Sequence, residues 1–264
     1  MNTKSYVYLV YILIIVNIGL GLGYQMPYSA RSIGLAEANV SFLGDIGAIA
    51  YNPAVLMENM IGFNLTEWFI DSRIGSVIGS YNVKDKFLIG GAFSYLYYGV
   101  MPIYNELGTN EGQMSADLYS YQLAIKKGFF NSKLSCGASI KGLVERIAQN
   151  KTQALYPQVG IIYTTKIFHF GGSVAITSHP ISQVGLTAKL PYRFILLAAT
   201  SYQAKLDFRL GLESQVNKLA FRAGWSPKAL SLGIGYTEGN YQFDYAIRNY
   251  KELGPVHSFS LTIR

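Results

Sequence analysis

The chain is short of charge. Of its 264 residues, 14% are Asp, Glu, Lys or Arg, against roughly 25% in an average soluble domain. It carries one cysteine, Cys136, which excludes an intrachain disulfide. Cys136 alternates with Leu134, Ala138 and Ile140 on one apolar face, where it reads as a small apolar side chain and not a nucleophile. The three histidines, His169, His179 and His257, stand far apart at no ligand spacing, so no metal is expected. No Ser-His-Asp order, paired-carboxylate motif or phosphate loop is present. Gly233-Ile234-Gly235 lacks the rest of a dinucleotide fingerprint. Nothing here supports catalysis or a cofactor. The net charge is +7, but Lys and Arg are spread through the sequence and form no basic stripe, so nucleic-acid binding has no support. After residue 22 there is no second long apolar run, and a helical span needs about 20 apolar residues.

What the chain has in quantity is glycine, aromatics and alternation. It holds 27 Gly, 21 Tyr and 14 Phe. From Leu206 onward apolar and polar residues alternate repeatedly. Leu206, Phe208, Leu210 and Leu212 stand against Asp207, Arg209 and Glu213. Leu219, Phe221 and Trp225 stand against Arg222, and Phe243, Tyr245 and Ile247 against Asp244 and Arg248. Side chains on a strand point to opposite faces in turn, so a period of two predicts strands with one apolar and one polar face. Leu230, Leu232, Ile234 and Tyr236 alternate with Ser231, Gly233 and Gly235, and Phe259, Leu261 and Ile263 with Ser258, Ser260 and Thr262. Further strands are predicted over 61–71, 73–81, 87–98, 116–127, 134–146, 154–164, 168–178, 184–190 and 194–202, which makes about fourteen. Alternation alone fits a soluble sandwich or a lipid-exposed barrel with apolar residues outside.

The start of the chain favours the barrel. Lys4 precedes an apolar run from Val7 to Leu22, and Gly19 to Gly23 supply small residues for cleavage. Residues 1–23 are therefore expected to be a signal peptide, since the run of about 16 residues is short for a spanning helix. Residues 24–60 are rich in Gly, Ala and Ser and carry Asn52-Pro53-Ala54, where Asn52 can cap a helical turn that Pro53 opens. This stretch is expected to pack inside the barrel formed by 61–264. With the first strand running outward, short turns are expected at the periplasmic end, for example 130–133 and 165–167. Longer links are expected at the outer end: 99–115, 148–152, 179–183 and 249–256.

Asn52-Pro53-Ala54 after its Gly/Ala-rich lead-in resembles the start of FadL-like and PorV/PorQ-like outer-membrane proteins. The tail resembles the final hairpins of PorV/PorQ-like proteins in Phe221-Arg222-Ala223-Gly224-Trp225, Leu232-Gly233-Ile234-Gly235-Tyr236, Asp244-Tyr245-Ala246 and Leu253 to Leu261. The resemblance covers about 30–60 and 206–264. It implies an all-β, fourteen-stranded, antiparallel transmembrane barrel of FadL type in the bacterial outer membrane, with the N-terminal segment as a plug. It also implies a non-enzymatic part in type IX-like secretion, with secreted proteins bearing a C-terminal signal domain as partners beside outer-membrane lipid. The alternatives are a FadL-like channel for hydrophobic small molecules and a purely structural barrel. A kinked or bulged strand would favour transport.

Alternation directs eight charges to the lumen: Lys141, Glu145, Asp207, Arg209, Glu213, Arg222, Asp244 and Arg248. They are too costly to face lipid. A cross-strand salt-bridge ladder anchoring the plug and a polar path both fit. In the longest expected outer link, Met101, Pro102, Ile103 and Tyr104 form an apolar start suited to a partner or a hydrophobic ligand.

Overall fold

A computed structural model of the protein describes residues 26–69, 72–83, 87–104 and 110–264. The expected signal peptide, residues 1–23, lies outside the described residues. Fourteen strands pair antiparallel, each with its neighbour in sequence, and the last closes on the first. They are β1 (Met60–Glu67), β2 (Arg73–Val83), β3 (Phe87–Tyr104), β4 (Asn110–Phe129), β5 (Leu134–Ile147), β6 (Asn150–Thr164) and β7 (Phe168–Ala175), followed by β8 (Ile181–Leu190), β9 (Phe194–Tyr202), β10 (Leu206–Val216), β11 (Leu219–Ser226), β12 (Ala229–Glu238), β13 (Tyr241–Tyr250) and β14 (Gly254–Ile263). Closure leaves no open edge along the wall, which a sheet in hydrocarbon requires.

The barrel is inverted. In β1, Ile61, Phe63 and Leu65 are exposed while Asn64 and Thr66 are buried. The same alternation puts Leu123, Phe170, Phe208, Leu232 and Phe259 outside and Ser120, Gln122, Thr187, Ser258 and Thr262 inside. Water around so large an apolar wall would drive aggregation; lipid does not. Cys136 lies on the outer face, as its alternation indicates.

Two expectations are corrected. Residues 100–104 and 110–114, expected in an outer loop, are strand. β3 continues to Tyr104, and Met101, Pro102 and Ile103 pair with Met114, Gln113 and Gly112 of β4. Met101, Pro102, Ile103 and Tyr104 are therefore strand. The alternation was obscured by a bulge, because Tyr98 and Gly99 oppose the single residue Ala116, with Gly99 at φ 89°. Pro102 is tolerated because β2 begins at Arg73, opposite Tyr97, so β3 beyond Tyr97 has no strand partner on its β2 side among the described residues. Two other outer links are also shorter than expected, while the link between β7 and β8 keeps its expected length but lies at 176–180. Only Ala148 and Gln149 separate β5 from β6, and only Lys251–Leu253 separate β13 from β14. The two ends differ mainly in strand length: β3 and β4 have 18 and 20 residues, β1 and β7 have 8.

Residues 26–57 lie inside the barrel, and the exposed Glu58 and Asn59 lead into β1. The inner segment forms a short helix, α1 (Ala30–Gly34), and two 3-10 turns, Ile46–Ala50 and Pro53–Val55. The main core joins Tyr28, Leu35, Val40, Phe42, Ile46, Ile49 and Leu56 of this segment to inward Ile74, Ile78, Leu96, Leu118, Leu143 and Leu197. The apolar core of the protein is thus the contact between plug and wall.

Candidate functional site: the plugged lumen and the lipid-facing recess

The wall makes room for the plug with glycines that face each other across strand pairs. Gly137 pairs with Gly160. A Cβ on Gly160 would stand 1.9 Å from Asn52 Oδ1, and one on Gly137 would stand 2.4 Å from Ala54 N. Gly211 and Gly224 pair likewise and meet Leu35 and Ala36, and Gly171 and Gly185 meet Val40 and Ser41. At these points the plug backbone lies directly on the wall backbone.

Asn52 fastens one of them. Its Oδ1 accepts from Ala54 N at 2.9 Å, capping the turn that Pro53 opens, and its Nδ2 donates to Val40 O at 2.8 Å and Ile161 O at 3.1 Å. The capping role expected of Asn52, Pro53 and Ala54 is met, and Asn52 also binds the wall. Wall side chains satisfy other plug carbonyls. Gln158 Nε2 donates to Tyr51 O at 2.7 Å, Ser173 Oγ to the same oxygen at 2.6 Å, and Gln122 Nε2 to Ile49 O at 3.1 Å.

All eight expected lumen charges point inward, and six join two ionic clusters completed by the plug. Glu213 binds Arg31 of the plug and, through Oε2 at 2.6 Å, Arg222 of β11. Arg222 Nη1 reaches Asp244 at 2.8 Å. Glu37 of the plug takes Arg248 at 2.8 Å and Arg209 at 3.6 Å, and Arg209 also holds Asp207 at 3.0 Å. Opposite charges on neighbouring strands thus neutralise each other through the plug. Lys141 is buried with Nζ 5.5 Å from the ring centre of Tyr28. Glu145 is buried on β5 and joins neither cluster among the described residues.

The plug partners were not singled out in the sequence. Arg31 and Glu37, with Asp45, which accepts from Ser29 and Ser32 Oγ at 2.7 and 2.6 Å, organise the segment. The available signal was three charges, Arg31, Glu37 and Asp45, set among small and apolar residues. Met101, Pro102, Ile103 and Tyr104 lie apart from these clusters, in the part of β3 that pairs only with β4.

A second feature lies on the outside. An apolar recess of about 810 Å³ spans the lipid face of β1–β3 and β11–β14, walled by Phe63, Val77, Phe93, Ile234, Tyr245 and Phe259. At Gly75, on this face, an added Cβ would meet nothing within 4 Å. Above the same wall the rim is notched, because β2 stops at Arg73 while β3 rises to Tyr104. Trp68, Phe69 and Tyr250 gather at the low lip, with Phe69 5.1 Å from each of the other two rings.

Known protein-family models and curated proteins give no match to the sequence. Solved structures do match the fold. A Pseudomonas aeruginosa FadL homologue aligns with a TM-score of 0.60 at 11% identity, over 89% of this chain and 98% of that one. The Pseudomonas putida toluene transporter TodX aligns with a TM-score of 0.65 at 11% identity, over 89% and 96%. A mutant described as a monoaromatic hydrocarbon channel aligns with a TM-score of 0.63 at 11% identity, over 90% and 97%. The chain has the fold of FadL-type barrels.

Proposed function

We propose that the protein is a non-enzymatic outer-membrane channel of FadL type for hydrophobic small molecules. The supporting observation is the apolar recess on the lipid face directly below the notch between β2 and β3. A lumen filled by a plug on backbone contacts and buried ion pairs is poorly suited to free passage of water-soluble solutes. A hydrophobic molecule needs no such passage. It can settle among the aromatic rings of the lip, cross the low rim beside the β3 bulge, and continue down the recess into the bilayer. The solved barrels of the same fold include a toluene transporter, which supports the same substrate class. Export by a signal peptide at residues 1–23 belongs to the proposal. The test is uptake of a labelled monoaromatic or a long-chain fatty acid by cells lacking other carriers. Uptake above that of empty cells supports the proposal, and equality with them refutes it.

A second reading is surface attachment of secreted proteins, as in PorV/PorQ-like barrels. One observation favours it: among the described residues β3 beyond Tyr97 has no partner on its β2 side, where a strand can be added. Recovery of secreted proteins sharing a C-terminal β-domain with the tagged barrel supports this role, and recovery of the barrel with lipid alone removes it.

A further inference from the structure

The fold gathers cations that the sequence scatters. Lys127 and Lys133 flank the β4–β5 turn, Lys166 lies between β6 and β7, Lys189 stands near the end of β8, and Arg193 precedes β9. All five are exposed at one end of the wall from β4 to β9. Between Asp117 and Asp207 the sequence holds a single acid, Glu145, which is buried toward the opposite end of β5. From Lys127 to Arg193 the sequence therefore brings five cations to this end of the wall and no carboxylate, since Glu145 lies at the other.

An independent feature coincides with it. The turn tips of the same arc carry Phe130 and Tyr192, which are 78% and 90% exposed. Both hold positive φ, 52° and 58°, a region unfavourable for bulky side chains and natural for Gly or Asn. The turns thus hold two aromatic rings out beyond the strand ends, where water would leave them unsatisfied. Ile167, Phe168 and Phe194 are exposed beside them, and Lys127 Nζ lies 5.7 Å from the Phe129 ring centre. Aromatic rings beside cations match the layer where acyl chains meet phosphates.

We propose that this arc is a docking site for anionic phospholipid headgroups, with the five cations holding phosphates and the Phe130 and Tyr192 rings seated in the interface. The site is independent of the channel function and of what the lumen carries. It is tested on the full-length barrel equilibrated with nanodiscs containing phosphatidylglycerol and phosphatidylcholine of identical acyl chains, by counting the lipids retained in native mass spectrometry. The wild type is expected to retain phosphatidylglycerol with a preference of roughly fivefold or more, which fades in molar salt. The combined change Lys133→Gln, Lys166→Gln, Lys189→Gln and Arg193→Gln should abolish the preference. The change Lys151→Gln, Lys205→Gln and Lys251→Gln at the other end should leave it intact. Equal retention of both lipids, a preference that persists in molar salt, or equal loss in both variants overturns the proposal. So does a preference surviving in the first variant, or binding to peptidoglycan in place of lipid. The salt titration of the wild type decides the matter even if the first variant fails to fold.

Discussion

Arg31 of the plug grips Glu213 of β10 with both arms of its guanidinium. Nε donates to Oε2 at 2.9 Å and Nη2 to Oε1 at 2.5 Å. Glu213 Oε2 also accepts from Arg222 Nε, so one carboxylate joins the plug to two strands. Removing one partner from such a buried set leaves uncompensated charge, which typically costs about 3–5 kcal/mol. Glu213→Ala should lower the unfolding free energy by about that amount. An apolar replacement of the whole set, Arg31→Met, Glu213→Leu, Arg222→Met and Asp244→Leu, should recover most of it. Denaturant unfolding in detergent reads both, and a stability of Glu213→Ala equal to wild type would remove this ion pair as an anchor.

The facing glycines make a sharper test of how the plug is seated. At Gly160 a Cβ would overlap Asn52 Oδ1 at 1.9 Å, so Gly160→Val cannot coexist with the present plug position. The plug should shift, and single-channel conductance in planar bilayers should rise above that of the wild type. Gly79→Ala is the control: nothing lies within 4 Å of its added methyl, and stability should stay within about 0.5 kcal/mol of wild type.

Asn52 caps a turn and donates to two carbonyls, one on the plug and one on the wall. Asn52→Ala leaves a lost cap and two buried carbonyls short of donors, a cost of about 2–4 kcal/mol. Asn52→Asp retains the acceptor but loses both donors, and should recover little. Thermal unfolding of the two variants side by side distinguishes the cap from the wall contact.

The recess can be filled without touching the plug. Gly75→Trp places a ring on the lipid face where an added Cβ meets no neighbour. Folding should be unchanged while uptake of a hydrophobic probe falls severalfold. Unchanged uptake would take the recess out of the path.

The strands were legible because a period of two repeats without interruption over most of the wall, and the same period sent Glu213, Arg222, Asp244 and Arg248 inward correctly. It failed at Tyr98 and Gly99, where the bulge shifts the phase, and Pro102 then disguised the six further residues of β3, 99–104, as a loop. The partners Arg31 and Glu37 were not legible, because the plug follows no period and its conformation is set by the cavity that receives it. The cationic arc was hidden for a different reason. Its members lie in alternate links of the sequence, and only closure of the barrel brings those links to one end.

The most direct test of the proposed channel fixes the plug and measures transport. Ser41 Oγ lies 2.9 Å from Thr187 Oγ1 on β8, so Ser41→Cys with Thr187→Cys can tie plug to wall, with Cys136→Ser removing the native thiol. Uptake of a labelled hydrophobic compound is measured in proteoliposomes before and after reduction. The expected result is uptake well above that of protein-free liposomes, at the same rate in the oxidised and reduced states. Uptake that appears only on reduction would contradict a route past a fixed plug, and no uptake in either state, or in the unmodified barrel, would contradict the channel itself.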